Sequence, residues 1–271
     1  MNNPFSYAGK RVVLTGAATG VGAALLELLV EMGAPHVTVL DVKAPSGPHA
    51  RFIETDLSEK RAVDAAIAVI DDSVDVLFNN AGVAATQPSD VVLAVNYLAL
   101  RRLSEGLLDR IPSGGAIVNT ASTAGGRWAD HLDQINELLD LGDWDSSVRW
   151  IGANLESVGG DPYTFSKEVV RVWGMRHSRK TMARGVRTNS LCPGPMDTPL
   201  LVDFKTTMGE KTIDWMAQQS TGSYIPPRNA AMSLAFLGSD AASCVNGHDL
   251  VADGGFNAAM LTGQIDFSGL S

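Results

Sequence analysis

Short apolar segments alternate with helical segments along most of this chain of 271 residues. Segments such as RVVLTG (11–16) and GAIVNTAS (115–122) show no polar–apolar alternation at their apolar cores, which is typical of strands buried on both faces of a parallel sheet. Repeated strand–helix units build a doubly wound sheet whose ligand crevice lies at the carboxyl ends of the strands. We therefore predict an α/β protein with a doubly wound parallel sheet of the Rossmann type. We find no linker or repeat, so one domain over residues 1–271 is expected.

The predicted elements follow from this pattern and from helix stop signals. Strands are expected at residues 11–16, 36–41, 50–56, 74–82, 115–122, 186–194 and 248–255. Helices are expected at residues 21–33, 59–70, 88–111 and around 229–238, and a further helix opens near Tyr163.

Three glycines stand between the first strand and the first helix, in TGAATGVG. Gly16, Gly20 and Gly22 are spaced Gly-x-x-x-Gly-x-Gly, which differs from the commoner Gly-x-Gly-x-x-Gly fingerprint. Glycines at this place let backbone N–H groups approach a pyrophosphate at the helix N-terminus. A plain tight turn is the alternative, and the strand–turn–helix context favours the dinucleotide site.

Acidic and amide side chains follow the next strands. Asp41 ends the second strand, where a carboxylate would bind an adenosine ribose and repel a 2′-phosphate, so NAD is preferred over NADP. The alternative is that Asp41 only caps a loop. Asp56 could accept from an adenine amino group or cap a helix. In NNAG (79–82), adjacent asparagines can tie strands together and Gly82 permits close approach of the cofactor.

Tyr163 precedes Lys167 by one helical turn. A phenol has an ordinary pKa of about 10, too high for a base at neutral pH. An ammonium at i+4 favours the phenolate, so we expect Lys167 to lower the pKa of Tyr163. Ser122, after the fifth strand, could bond a substrate oxygen beside Tyr163. Asn96 is a poor helix former in mid-helix, which suggests a kink or a functional hydrogen bond through water.

Together these motifs resemble the short-chain dehydrogenase/reductase family over nearly the whole chain. The residues that carry the resemblance are Gly16–Gly22, Asp56, Asn79–Gly82, Asn96, Ser122, Tyr163, Lys167 and PGPMDTP from Pro193. Within the family, AIVNTAS, the long stretch before YTFSKEVVRVW, and LCPGPMDTPLL look most like the subgroup of bacterial 3α-hydroxysteroid and coniferyl-alcohol dehydrogenases.

The resemblance implies roles for these residues. Tyr163 would be the general acid/base, Ser122 would orient and polarise the carbonyl or alcohol, Lys167 would bind the nicotinamide ribose, and Asn96 would hold a proton-relay water. The backbone of 193–196 and the Thr198 hydroxyl would anchor the carboxamide. The predicted cofactor-binding set is Gly16, Thr19, Gly20, Val21, Gly22, Asp41, Asp56, Leu57, Asn80, Ala81, Gly82, Tyr163, Lys167, Pro193, Gly194, Met196 and Thr198.

The stretch between Ser122 and Tyr163 is too long for a structureless loop. Leu132, Ile135, Leu138 and Leu139 form one helical stripe, and a second stripe comprises Trp144, Val148, Ile151, Leu155 and Val158. Gly142 would end the first helix and Asp143 would cap the next. We therefore predict a helical hairpin inserted at 123–162. Its stripes either only pack on each other and the domain, or the hairpin walls the substrate cleft or alters subunit packing. The tryptophans Trp128, Trp144 and Trp150 are then core anchors or pocket and interface aromatics.

A second variable segment covers 196–227. Its apolar residues Leu200, Leu201, Phe204, Met208, Trp215 and Met216 are expected to form a lid over a hydrophobic substrate. A helix pair that buries its own stripe is an equally good interpretation.

Composition excludes several classes. A net charge of −9 disfavours a nucleic-acid partner, and the basic run at 176–187 lacks the aromatics of a base-stacking platform. Two cysteines give no disulfide framework, and we see no signal peptide and no apolar run long enough to span a membrane, so a cytoplasmic location is expected. The five histidines and two cysteines show no metal-ligand spacing, so no metal is expected.

The expected function is an NAD-dependent oxidoreductase that interconverts a secondary or aryl/allylic alcohol and its carbonyl on a bulky hydrophobic substrate, such as a hydroxysteroid, terpenoid or aryl alcohol. The expected assembly is a homodimer or homotetramer. The alternatives are a related epimerase or enoyl reductase, which also use a Tyr/Lys pair, and a non-catalytic dinucleotide-binding sensor or scaffold.

Overall fold

A computed structural model of the protein describes residues 3–70 and 72–270; residues 1, 2, 71 and 271 of the predicted domain lie outside the described residues. Within the described chain, seven parallel strands form one sheet in the order β3-β2-β1-β4-β5-β6-β7. The strands are β1 (Arg11–Thr15), β2 (His36–Asp41), β3 (Arg51–Glu54), β4 (Val76–Asn79), β5 (Ala116–Thr120), β6 (Arg187–Pro193) and β7 (Asp249–Ala252). The doubly wound sheet predicted from the apolar segments is confirmed, although β3, β4 and β7 are shorter than expected.

The α-helices connect the strands and cover the sheet. They are α1 (Gly20–Glu31), α2 (Lys60–Val69), α3 (Ser89–Leu93), α4 (Ala99–Leu107), α5 (Leu132–Leu141), α6 (Trp144–Asn154), α7 (Pro162–Thr181), α8 (Leu201–Met208), α9 (Glu210–Gln218), α10 (Pro227–Gly238) and α11 (Phe256–Leu261). Single 3₁₀ turns or short 3₁₀ stretches lie at Leu108–Arg110, Thr123–His131, Leu155–Val158, Met182–Arg184, Asp240–Ala242 and Phe267–Leu270. The predicted helix over 88–111 is interrupted by a π-helical turn at Ala94–Leu98.

The two faces of the sheet are buried under different helices. Val12 and Leu14 of β1 pack in one apolar cluster with α1 and α10. Val13, which points to the opposite face because side chains alternate along a strand, packs in another cluster with α2 and α4. Burial on both faces is what the continuously apolar strands required.

The predicted insertion is a helical hairpin made of α5 and α6. Gly142 ends α5 in the left-handed conformation (φ 75°) that glycine adopts without a steric penalty. The Asp143 carboxylate then accepts a hydrogen bond from the Ser146 N–H and caps α6. Both boundary residues act as predicted from the sequence.

Candidate active site

In the glycine turn between β1 and α1, the backbone lies so close to neighbouring atoms that side chains are excluded. A Cβ at Gly22 would lie 1.8 Å from the Gly16 carbonyl oxygen, and one at Gly16 would lie 2.6 Å from Ala81 Cα. Gly16 also has a φ of +71°, which disfavours any side chain. Thr19, the residue before α1, makes no side-chain capping bond in the described structure. The first N–H groups of α1 therefore remain available to an anion.

The end of β4 is tied to this turn. Asn80 Nδ2 donates to the carbonyl oxygens of Gly16 at 2.9 Å and Thr15 at 3.3 Å. The Thr15 hydroxyl accepts from the backbone N–H groups of Asn80 and Ala81. Asn79 Nδ2 reaches the other way and donates to Asn119 Oδ1 on β5 at 3.0 Å. The two asparagines thus tie neighbouring strands together, as expected from their position.

Two carboxylates lie on the cofactor side of the cavity. Asp41 accepts hydrogen bonds from the Ala18 N–H at 2.9 Å and the Lys43 N–H at 3.1 Å, which fix its orientation at the end of β2. Asp56 is exposed and accepts from the Ser58 N–H and hydroxyl. The helix α2 begins later, at Lys60, so Asp56 closes a turn and does not cap that helix.

Asn96 lies in the π-helical turn and is buried. Its Nδ2 donates to the Val83 carbonyl at 3.1 Å and to the Ser166 hydroxyl at 2.9 Å, and its Oδ1 accepts from the Val83 N–H at 2.9 Å. The expected irregularity at Asn96 is therefore a π turn, in which direct bonds to the neighbouring loop and to α7 satisfy the amide. π turns inside α-helices occur often at functional sites.

The helix α7 carries Tyr163 and Lys167 and starts at a well-defined cap. The Asp161 carboxylate accepts from the N–H groups of Tyr163 and Thr164, and Pro162 occupies the first helical position. The ends of β5 and α7 meet here, because Lys167 Nζ donates to the Thr120 carbonyl at 2.8 Å. A Cβ at Gly82 would lie 3.5 Å from Lys167 Nζ and 3.3 Å from Asn96 Oδ1, so these three residues are neighbours.

The environment of Tyr163 differs from our expectation. Burial raises the pKa of Tyr163 to about 12, and a hydrogen bond with the Ser122 side chain opposes that rise only in part. Burial also lowers the pKa of Lys167 to about 8. Lys167 Nζ lies 5.7 Å from the centre of the Tyr163 ring and donates to the Thr120 carbonyl instead. The prediction that Lys167 sets a lowered tyrosine pKa is therefore wrong for the protein by itself, because desolvation dominates.

One cavity of about 1280 Å³ brings the predicted residues together. Every predicted cofactor-binding residue lines it, and so do Ser122, Tyr163 and Lys167. Asn96 does not line the cavity; it lies behind Gly82 and holds the Val83 loop. The turn after β6 closes the cofactor side, where Thr198 lies 3.4 Å from the position of a Gly20 Cβ and Met196 pairs with Ile225.

The far side of the cavity is apolar. The 196–227 segment contributes Leu200, Leu201, Phe204, Met208, Ile213, Trp215 and Met216. A C-terminal contribution, which was not predicted from the sequence, comes from Phe256, Asn257, Met260, Leu261 and Phe267. The apolar residues of FNAAML directly after the last strand were the available signal. From the insertion, only residues 123, 124, 126, 127 and 161 reach the cavity, all of them at its two ends.

Neither a metal-binding cluster nor a membrane-spanning helix is found among the described residues. No group of three or more His, Cys, Asp or Glu side chains in the described part of the chain is arranged to hold a metal ion. None of the described helices is both long and apolar enough to cross a membrane.

Comparison with known proteins gives the family. The sequence profile described as short chain dehydrogenase matches residues 10–132, and the related profile described as enoyl-(acyl carrier protein) reductase matches residues 148–257. A coniferyl-alcohol dehydrogenase from a Pseudomonas species is 33% identical over 248 residues, which cover 91% of this chain and 96% of that protein.

Solved structures agree with the sequence comparison. The 3α-hydroxysteroid dehydrogenase from Pseudomonas sp. B-0831, complexed with NADH, superposes with a TM-score of 0.79 at 31% identity and covers 95% of this chain and 100% of its own. A structure described as a gluconate 5-dehydrogenase from Beutenbergia cavernae, with bound NADP, has a TM-score of 0.72 at 26% identity and covers 94% and 100%. The glycine turn, the Tyr163–Lys167 helix and this similarity along the chain together show that the protein belongs to the short-chain dehydrogenase family and is an oxidoreductase of the kind that acts on alcohols.

Proposed function

We propose that the protein is an NAD-dependent dehydrogenase that interconverts a secondary or aryl/allylic alcohol and its carbonyl on a bulky hydrophobic substrate, of the hydroxysteroid, terpenoid or aryl alcohol class. The observation that carries this proposal is that Ser122 and Tyr163 line one cavity, between the glycine turn and the apolar 196–227 and C-terminal segments. The names of two relatives, a coniferyl-alcohol and a hydroxysteroid dehydrogenase, support the same class of substrate.

The residues present fit a dinucleotide. The cradle at Gly16 and Gly22 is filled by any Cβ, and the uncapped start of α1 suits a pyrophosphate. Asp41 is held at the end of β2 in a position to accept from ribose hydroxyls. Lys167 would hold the nicotinamide ribose, and the 193–198 turn would hold the carboxamide. When bound, a nicotinamide would supply the hydride acceptor or donor.

The protein's own residues then handle orientation and the proton. The Ser122 hydroxyl, itself fixed as an acceptor for the Ala124 N–H, orients the substrate oxygen beside the Tyr163 hydroxyl. Tyr163 donates its proton to a carbonyl oxygen during reduction and accepts the hydroxyl proton during oxidation. Because burial raises the pKa of Tyr163 to about 12, the phenol stays protonated at neutral pH, which suits the reducing direction. Oxidation should accelerate as the pH rises.

Replacement of Tyr163 tests the chemistry. Loss of a general acid/base lowers rates by about a hundredfold to ten-thousandfold, so Tyr163→Phe should reduce kcat by that amount. The measurement is alcohol oxidation followed at the nicotinamide absorbance across sterols, terpenols and aryl alcohols. Full activity of the variant would contradict the mechanism, and reduction of conjugated carbon–carbon double bonds without alcohol oxidation would favour an enoyl reductase.

Replacement of Asp41 tests the choice of NAD. Asp41→Asn removes the charge that would repel a 2′-phosphate, so the preference for NAD over NADP, as a ratio of kcat/KM values, should fall about tenfold or more. Asp56→Asn is the matched control: Asp56 also lines the cavity, but its expected partner is the adenine, which both cofactors share, so the ratio should not change. A wild-type protein that prefers NADP would overturn this part of the proposal.

A further inference from the structure

Phe204 connects the apolar side of the cavity to the reacting group. It lies in the middle of α8, is half-buried and lines the cavity. Its ring centre is 4.7 Å from that of Tyr163, with the two rings inclined at 57°. This is a favourable tilted geometry for an aromatic pair. No other aromatic pair of Tyr163 is found among the described residues.

The position of Phe204 depends on the whole 196–227 segment. At its base, Met196 pairs with Ile225, and the Asp197 N–H donates to the Ile225 carbonyl at 3.0 Å. At its outer side, Lys205 is bonded to Glu210 at 3.0 Å and to Asp214 at 2.9 Å. Lys205 directly follows Phe204 in the chain. These bonds hold the backbone of the segment on both sides of Phe204, whose ring contacts that of Tyr163.

Tyr163 is enclosed on several sides. Ser122 lines the same cavity as Tyr163, and Lys167 Nζ lies 5.7 Å from the centre of the Tyr163 ring. Only 6% of Tyr163 is exposed, and the Phe204 ring is a direct part of that cover. A substrate whose oxygen reaches Ser122 and Tyr163 shares the cavity with Phe204, the ring that lies 4.7 Å from the Tyr163 ring.

We propose that Phe204 is a specificity-determining residue that selects substrates whose carbinol carbon is attached to a flat ring, and that it also shields Tyr163 from water. The ring of the substrate packs against Phe204, whereas an open alkyl chain gains less from this wall because it loses more conformational freedom. The proposal rests on the proposed function and narrows its substrate class. The shielding is consistent with burial as the main cause of the raised pKa of Tyr163.

The selectivity test compares two alcohols with the same number of carbon atoms, α-methylbenzyl alcohol and sec-octyl alcohol. For Phe204→Ala, kcat/KM for the ring alcohol should fall about tenfold and that for the open-chain alcohol should change by less than about twofold. Phe204→Leu, which keeps an apolar side chain, should lose the same discrimination. Val202→Ala is the matched control, because Val202 lies on the same helix, is 69% exposed and does not line the cavity. An unchanged ratio of the two kcat/KM values in Phe204→Ala overturns the proposed selectivity.

The shielding test requires no turnover. The chain has four tyrosines, so a sample with isotope-labelled tyrosine gives few NMR resonances. The resonance that is absent in Tyr163→Phe is assigned to Tyr163. In the wild type the Tyr163 resonance should not titrate up to about pH 10.5, above the ordinary tyrosine pKa of about 10. In Phe204→Ala it should titrate at lower pH, with Phe204→Leu between the two. Titration identical to that of the wild type overturns the shielding. If no alcohol is oxidised by the wild type, the proposed function fails, and this titration still decides the contact between Phe204 and Tyr163.

Discussion

The insertion (123–162) and the 196–227 segment leave the sheet after neighbouring strands, β5 and β6, but they bury their apolar side chains in different places. Ile135, Leu138 and Trp150 of the insertion belong to one apolar cluster with Tyr97 and Phe165 of the domain. The Trp150 and Phe165 rings stack with centres 5.7 Å apart. The insertion is therefore an extension of the core, which agrees with the simpler of the two interpretations of its stripes.

The 196–227 segment buries much less of itself. Phe204, Met208 and Met216 are only half-buried or partly exposed, and all three face the cavity. An apolar surface that faces an open cavity is removed from water only when an apolar ligand binds there. Similar apolar stripes therefore have different roles in the two segments. The stripes of the insertion pack against the core of the domain, whereas apolar residues of the 196–227 segment line the cavity. The insertion should affect stability, and the 196–227 segment should affect selectivity.

The insertion side of this comparison predicts the largest effect on stability. Leu138→Ala removes a fully buried side chain, so the free energy of unfolding should fall by about 2–5 kcal/mol. The ratio of kcat/KM values for different alcohols should not change, because no residue from 128 to 160 in the described chain lines the cavity. Urea unfolding and steady-state kinetics measure the two quantities.

Leu132→Ala is the matched control for that prediction. Leu132 lies on the same helix but is 37% exposed, so its replacement should cost much less. A change of substrate selectivity in Leu138→Ala, with stability intact, would show that the insertion shapes the cleft after all. Whether it also alters subunit packing stays a prediction, which light scattering tests.

The ion pairs of Lys205 at the outer side of the 196–227 segment should have a smaller effect, which is on KM. Lys205→Met breaks the contacts with Glu210 and Asp214, so KM for a hydrophobic alcohol should rise about threefold. The difference from the wild type should shrink as salt is added, since these groups are partly exposed and screened. Steady-state kinetics at two ionic strengths measure this.

An exposed ion pair of the insertion provides the comparison for Lys205. Arg176→Met breaks a pair in which Arg176 lies 3.3 Å from Asp140, and KM should stay at the wild-type value. Equal KM values for Lys205→Met and the wild type at low salt would show that the pairing at Lys205 does not hold the segment over the cavity.

Much of the fold and of the cofactor side was predictable from the sequence, because both depend on local signals. Short apolar segments that alternate with helical segments indicate buried strands of a parallel sheet, and Gly16 and Gly22 mark close backbone contacts that any Cβ would block. Asn96 was recognised as a misfit, and it lies in a π turn. These features need no knowledge of distant parts of the chain.

The remainder depends on tertiary contacts that no short segment encodes. The raised pKa of Tyr163 results from burial by several elements, one of which is Phe204, so the spacing of Tyr163 and Lys167 alone gave the wrong direction. Similarly, the apolar stripe of α5 predicts that one face of this helix is buried. It does not predict that the partner is α7 and not the cavity. The C-terminal contribution of Phe256 was missed because its strand ends far from the catalytic motifs in sequence.

A contact between His131 and Glu168 joins the insertion to the catalytic helix α7. His131 Nδ1 lies 2.7 Å from Glu168 Oε2, and the Glu168 side chain is only 1% exposed. Burial raises the pKa of Glu168 above its ordinary value of 4.5, although the hydrogen bond with His131 opposes the rise. The folded protein therefore holds the Glu168 proton more tightly than the unfolded chain does.

Consequently, the contribution of Glu168 to stability should be greatest at pH values below 4.5 and should decline as the pH rises from 4.5 through the raised value. Glu168→Gln cannot ionise but keeps an oxygen that accepts from His131, so its stability should lack this decline. Urea unfolding of both proteins across this range measures the effect. It should be smaller than the effects predicted for Leu138→Ala and Lys205→Met. Glu137→Gln, which replaces an exposed carboxylate on the same insertion, should follow the wild-type profile. A constant difference between Glu168→Gln and the wild type at every pH would show that the His131–Glu168 contact fastens the insertion without a change of protonation.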